Sequence, residues 1–230
     1  MPPDPALQIL LEDNHLLVVN KPAGMATMGV AAGEPSVLAS ARQYIKHRYA
    51  KPGNVYLGVV SRLDAPVSGV LLFARTSKAA ARLSEQFRSR SVEKTYWAIV
   101  DGDNFPPTGQ LEDRLVKDEP QRRMRRVDPD DSDGLSATLE FRRLRRLSAG
   151  WLVEIVPHTG RKHQIRVQFA DRGWPILGDA KYGSTLRFPA GIALHSRRLA
   201  FDHPISKKRI ELTAAVPAAW TKYGVARDSP

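Results

Sequence analysis

The chain has 230 residues, of which 42% are hydrophobic, and its 35 Lys and Arg against 24 Asp and Glu give a formal net charge of +11. It has no cysteine, which excludes disulfides, thiolate metal sites and cysteine nucleophiles. No apolar run approaches the ~18–20 residues that span a bilayer, and the surplus of positive charge points to a polyanionic partner, nucleic acid or an anionic surface.

The opening Met1-Pro2-Pro3-Asp4-Pro5 is neither basic nor apolar, so no secretory leader is expected and the predicted location is the cytoplasm. Gln8–Glu12 and Leu16–Asn20 are short apolar runs split by Asp13-Asn14-His15, which predicts a strand pair. Lys21-Pro22-Ala23-Gly24 ends the second strand, and residues 25–35 form a loop without the Gly-Lys-Ser/Thr ending of a phosphate-binding loop. Ser36 caps a predicted helix to about Tyr49, with Val37, Leu38, Ala41, Tyr44 and Ile45 on one face. Strands are predicted at 55–60 and 69–75, joined by a polar turn. A second helix is predicted from Ser77, its cap, to Arg88, with Ala80, Leu83 and Phe87 on one face.

Glu93–Val100 reads as a strand. Residues 101–135 are rich in Pro, Gly and Asp and carry Arg122, Arg123, Arg125 and Arg126, so they predict a mobile excursion built as a hairpin. On the next strand, alternation puts Arg143 and Arg145 on one face and Leu144 with Arg142 and Arg146 on the other. Trp151–Val156 is a strand and Arg161–Asp171 a helix stopped by Gly173, with Thr159 as its cap. Leu194–Phe201 and Arg209–Ala214 are late strands, and Pro217–Arg227 a closing helix. There is no internal repeat. The order of elements predicts an α+β fold, a mixed and mostly antiparallel sheet flanked by helices and loops.

Three stretches carry candidate chemistry. In Ser61-Arg62-Leu63-Asp64-Ala65-Pro66-Val67-Ser68-Gly69-Val70, an aspartate sits two residues from an arginine between two apolar runs. Asp64 is either a turn carboxylate that caps a backbone amide or pairs with Arg62, or an ionised base or nucleophile held by neighbouring cations. In His158-Thr159-Gly160-Arg161-Lys162-His163-Gln164-Ile165-Arg166-Val167, three cations suit phosphate contacts, or else form a solvated helix start. Its two histidines lack the i, i+4 spacing of a helical metal pair, and no metal site is expected. In Glu93-Lys94-Thr95-Tyr96-Trp97, adjacent aromatics are either core or a platform for a base.

Together these stretches resemble the pseudouridine synthases of the large-ribosomal-subunit (RluA) type. Leu17–Gly24 is similar to that family's opening strand, and Ser61–Val70 to its His-Arg-Leu-Asp-x-x-Thr-Ser-Gly signature. Lys94-Thr95-Tyr96 and Thr159–Arg166 also match, as do Pro175–Gly183 and Leu194-His195-Ser196. Ser61 stands where the family has His, and Val67 where it has Thr, departures that bear on rate and RNA specificity.

The resemblance implies isomerisation of uridine in ribosomal or transfer RNA, with no cofactor or metal. It implies Asp64 as the essential carboxylate and Arg166 as the cation that pairs with it. Tyr96 would pack on uracil, Arg62 would fill the space of a flipped base, and Ile165 and Leu194 would wall an apolar pocket. Residues 1–17 are too few for the S4-type RNA-binding module that many members carry, so a single catalytic domain, 1–230, is expected. RNA contact then falls on Arg122, Arg123, Arg125, Arg126, Arg161 and Lys162, and on the cluster at 142–146. RNA is the expected partner, with no DNA or membrane partner, and a monomer is the expected state. The alternative is an RNA-binding or RNA-folding protein that keeps the fold and has lost catalysis.

Overall fold

The computed structural model describes residues 7–31, 33–102 and 104–227. In chain order its elements are β1 (Gln8–Glu12), β2 (Leu16–Lys21), α1 (Val37–Arg48), β3 (Gly58–Val59), β4 (Ser68–Ala74), α2 (Ser77–Arg88), β5 (Glu93–Val100), β6 (Thr108–Asp118), β7 (Arg123–Val127), β8 (Leu135–Leu147), β9 (Gly150–Pro157), α3 (Gln164–Ala170), β10 (Leu194–Asp202) and β11 (Arg209–Thr213). Short 3-10 turns occur at Ala180–Tyr182 and Ala218–Tyr223. The architecture is α+β, mostly antiparallel strands with few helices. The chain gathers into two compact units, one from Met1–Glu93 with Ser196–Val216 and one from Lys94–His195 with Pro217–Pro230.

In the first unit the strand order is β1-β2-β4-β10-β11, with β3 added at the end of β4. The run Leu16–Val19 is fully buried on both faces, which explains why it shows no polar alternation. Leu16, Val18, Val70, Leu72, Ala74, Leu199 and Phe201 form one cluster, against which α2 packs Ala79 and Leu83. Full burial of Leu83 contributes about 1.5–3 kcal/mol. Helix α1 starts as expected at Ser36, whose hydroxyl accepts from the Ala39 N–H at 3.2 Å. Helix α2 is capped one residue earlier than expected, by Thr76, whose hydroxyl accepts from Ala79. The strand expected at 55–60 shrinks to Gly58–Val59, although Val55 and Leu57 are buried.

Glu12 anchors α1 to β1. Tyr44 and Tyr49 donate to its two oxygens at 2.8 and 2.7 Å, and Arg48 and Arg75 pair with it at 3.3 and 3.2 Å. Burial alone would raise its pKa. The hydrogen bonds from Tyr49 and Tyr44 and the two guanidinium charges outweigh that and hold it below the usual carboxylate range.

In the second unit the order is β5-β9-β8-β6-β7, every pair antiparallel. The excursion at 101–135 is a hairpin, β6 with β7, and β8 closes on the other edge of β6. Its base is fixed to α3 through Asp113, which takes both Arg172 donors at 2.9 and 3.1 Å and the Gln168 amide at 2.8 Å. Phe105, Phe141, Phe169 and Trp174 form an aromatic cluster with tilted or edge-on rings.

Three expectations are corrected here. Helix α3 is shorter than 161–171, because His163 adopts φ 53° and the helical turns begin only at Gln164. Thr159 does not cap it; its hydroxyl accepts from the Thr138 N–H and meets the Gln164 carbonyl oxygen. The closing helix is only the 3-10 turn Ala218–Tyr223, ended by Gly224 at φ 81°.

Arg143 and Arg145 do not share a face. A β-bulge at Leu144 pairs Arg143 with Val153 but Arg145 with Leu152. Arg143 and Arg146 therefore both lie over the Trp151 ring, 4.2 and 5.1 Å from its centroid.

Gly69 has φ +115°, and a Cβ there would lie 2.3 Å from the Ser196 carbonyl oxygen of β10. Gly69→Ala is expected to destabilise the protein by about 2–4 kcal/mol, from strain and a backbone clash together. Urea denaturation checks this; a change below about 0.5 kcal/mol would contradict the close approach.

Candidate active site

The turn at Asp64 is shaped by hydrogen bonds to the residues on either side of it. The Val67 N–H donates to the Asp64 carbonyl at 3.1 Å, closing a β-turn with Pro66 in its centre. Before Asp64, Thr27 grips Leu63 twice, donating to its carbonyl at 2.8 Å and accepting from its N–H at 3.2 Å. After Asp64, the Ala65 carbonyl accepts from the Gly24 N–H at 2.8 Å and from the Lys21 ammonium at 3.1 Å. The loop that follows β2 therefore holds the backbone on both sides of Asp64. The side chain of Asp64 remains partly exposed and Arg62 is exposed. Val67, in place of the family Thr, is buried at 3% exposure, so its methyl groups pack where a hydroxyl would need a partner.

Lys21 is wholly buried, at 0% exposure. Its ammonium also donates to the Pro22 carbonyl at 2.7 Å. Burial pushes it down to about 8, while the Asp64 carboxylate draws it back up. Lys21 was legible as the end of a strand and as part of the Leu17–Gly24 match, with no role of its own. The available signal was a lysine directly following an apolar run and preceding Pro-Ala-Gly.

The remaining candidates lie in the second unit. Tyr96 is half-buried near the start of β5, opposite Ile155 of β9. Ile165 and Leu194 are buried at 7% and 3% exposure. Arg166 is buried on α3, and two of its nitrogens form a bidentate pair with Asp179, Nε–Oδ2 at 2.7 Å and Nη2–Oδ1 at 2.8 Å. Sequence reading missed Asp179 as a partner, because it lies 13 positions from Arg166 along the chain.

The arginine clusters divide by use. Arg126 pairs with Asp171 at 2.5 Å and Arg123 with Asp118 at 3.8 Å. Arg142 pairs with Glu154 at 2.7 Å, Arg143 donates to the Phe105 carbonyl at 3.0 Å, and Arg145 donates to the Gly224 carbonyl. Arg122, Arg125 and Lys162 are exposed, and none has an ion-pair partner among the described residues. Arg125, Arg161 and Lys162 line a cavity of about 530 Å³ together with Leu115, Met124 and the acidic Asp131 and Asp133. Among the described residues, no group of three or more His, Cys, Asp or Glu is placed to hold a metal, and no helix is long and apolar enough to cross a membrane.

Residues 15–171 match the family model described as RNA pseudouridylate synthase. Over 229 residues the chain is 35% identical to ribosomal large subunit pseudouridine synthase D of Zymomonas mobilis, covering 94% of this chain and 71% of that protein. Over 217 residues it is 36% identical to an uncharacterized RNA pseudouridine synthase of Bacillus subtilis, covering 92% and 69%. In fold it is similar to human RNA pseudouridylate synthase domain containing 4, with a TM-score of 0.78 at 24% identity over 94% and 93% of the two chains.

The Lys21 environment gives a pH signature. Its pKa is about 8 in the folded chain against 10.5 ordinarily, so between those values the unfolded chain binds more protons. Stability from this site therefore rises with pH across that window. Compared with Lys21→Met, the wild type is expected to gain stability from pH 8 to pH 10. Parallel denaturation midpoints for the two proteins over this range would refute the shift.

Proposed function

The chain belongs to the RNA pseudouridylate synthase family and is an RNA pseudouridine synthase, an isomerase; we propose that its substrate is a uridine in ribosomal RNA and that Asp64 is the essential carboxylate. The observation that carries the assignment of Asp64 is the turn itself, whose backbone is held on both sides of one partly exposed acid by Thr27, Gly24 and Lys21. A fixed acid beside a buried ammonium suits a group that must meet a sugar or base in one geometry. The ribosomal target is supported by the activity for which the Zymomonas relative is named.

The isomerisation breaks the bond from N1 of uracil to C1′ and forms one from C5 to C1′. C5 loses a proton and N1 gains one, so the reaction balances without an oxidant or reductant. In this reading Asp64 attacks the nucleotide or takes a proton from it. Tyr96 packs on the uracil ring, Ile165 and Leu194 help to exclude water, and Arg166 supplies a buried cation. Arg62, exposed and planar, takes the stacking position of the extruded base, and extrusion costs a few kcal/mol. We propose that the whole of residues 1–230 acts as one catalytic domain, with Arg122, Arg125 and Lys162, exposed and without ion-pair partners among the described residues, as the best supported phosphate contacts, and Arg161 with them.

Asp64→Asn is expected to lower pseudouridine formation on a large-subunit ribosomal RNA transcript by on the order of 10³-fold or more while RNA binding persists. Nucleoside mass spectrometry and filter binding read the two effects, and a fully active variant would remove Asp64 from its role. If the chain instead binds RNA without modifying it, the wild type itself yields no pseudouridine.

Salt titration of RNA affinity should give a steep inverse dependence, and Arg125→Ala or Lys162→Ala should each reduce the slope by about one. An unchanged slope would place the phosphates elsewhere.

A further inference from the structure

Arg166 is gripped by a short segment far from it in sequence. Gly178-Asp179-Ala180-Lys181-Tyr182-Gly183 makes one 3-10 turn, closed by the Tyr182 N–H donating to the Asp179 carbonyl at 2.9 Å. In a 3-10 turn, residues i and i+3 lie on the same side. Asp179 and Tyr182 therefore face the same target. Asp179, buried at 2% exposure, binds Arg166 through the bidentate fork, which fixes the guanidinium within its own plane. The Tyr182 ring lies against the guanidinium, its centroid 5.0 Å from Cζ, and resists tilting out of that plane.

Tyr182 is itself fixed. Its hydroxyl accepts from the Met124 N–H of β7 at 2.9 Å and lies 2.8 Å from His163 Nδ1. Two contacts, one to a strand backbone and one to a side chain, therefore hold the Tyr182 hydroxyl. The His163 and Tyr182 rings meet edge to face at 5.6 Å. A buried arginine with only structural work needs its charge neutralised, a need that the Asp179 carboxylate serves. The second restraint, on tilt, adds orientation beyond charge balance.

We infer that Asp179 and Tyr182 are positioning residues that hold Arg166 in a single orientation for the isomerisation. The inference rests on the reading that Arg166 serves that reaction. It assigns a use to the Gly178–Gly183 segment that neither its sequence nor its burial explains.

The test is a double-mutant cycle on the full chain, with large-subunit ribosomal RNA transcript as substrate. Tyr182→Leu is expected to lower kcat by on the order of 10–10²-fold with a smaller change in KM, as for a misplaced group. In an Arg166→Lys background, where there is no planar fork to orient, the same change is expected to cost less than about twofold. Asp179→Asn should show the same coupling. Tyr182→Phe keeps the ring and loses both hydroxyl bonds, so it should retain kcat better than Tyr182→Leu. Equal losses in the two backgrounds, or a Phe variant as impaired as the Leu variant, would overturn the inference.

A readout independent of activity comes from nitrogen-15 spectra of the arginine side chains. The Arg166 guanidinium should rotate slowly about its Nε–Cζ bond in the wild type and become averaged in Tyr182→Leu. A guanidinium that stays locked in that variant overturns the inference whatever the activity. A wild type that is locked but catalytically silent overturns the functional reading and leaves the positioning intact.

Discussion

A lysine sealed from water fixes the turn that presents Asp64. Taking an ammonium out of water costs several kcal/mol unless charge and hydrogen bonds offset it. Lys21 recovers part of that cost from the Pro22 and Ala65 carbonyls and from the charge of Asp64. The backbone supports the same arrangement. Lys21 is the last residue of β2 and lies opposite Gly69 in the antiparallel register with β4. The absence of a side chain at Gly69 lets β4 approach the Ser196 backbone of β10. Strand end, glycine and turn thus depend on one another, and a change at any of the three is felt at Asp64.

Much of this was legible in the sequence, and the gaps have identifiable causes. Strong local signals survived. The apolar run at Leu16–Val19, the Ser36 cap and the hairpin at 101–135 all lie where composition and capping placed them. The readings that failed depended on backbone features that residue types do not encode. Nothing in Arg142–Arg146 announces a bulge, so strict alternation misassigned the two faces. His163 in a left-handed conformation delays α3 by an amount that periodicity cannot register. Thr159 has the chemistry of a cap, but a strand carbonyl and a glutamine claimed its hydroxyl. The family motifs brought Asp64, Tyr96 and Arg166 to attention. The contacts by which Lys21 and Thr27 hold the turn at Asp64, and Asp179 holds Arg166, join residues far apart in sequence and were not visible.

The positive charge also takes on a different meaning. A surplus of +11 suggests a surface given over to polyanions. Many of the guanidinium groups instead act as internal struts. Arg75 and Arg48 hold Glu12, Arg172 holds Asp113, Arg166 is bound by Asp179, and Arg143 and Arg145 hydrogen-bond backbone carbonyls. The planar five-donor fork suits that work better than an ammonium does. Of the exposed cations outside these contacts, Arg122 and Arg125 lie on the hairpin and Lys162 at the approach to α3, and others, such as Arg42, Lys46, Lys78 and Lys207, are spread over other elements.

The bulge at Leu144 places one residue of β8 outside the ladder, between Arg143 opposite Val153 and Arg145 opposite Leu152. Deleting Leu144 would leave those pairs consecutive and in plain alternation. Arg146 would stay opposite Trp151, on the same face as Arg143, and Arg145 would stay on the other face. The extra residue therefore acts on the bend and twist of β8 and not on which arginines meet the indole. This stretch can lose that one residue and keep its pattern of faces, a freedom of length that a count of conserved side chains would not detect.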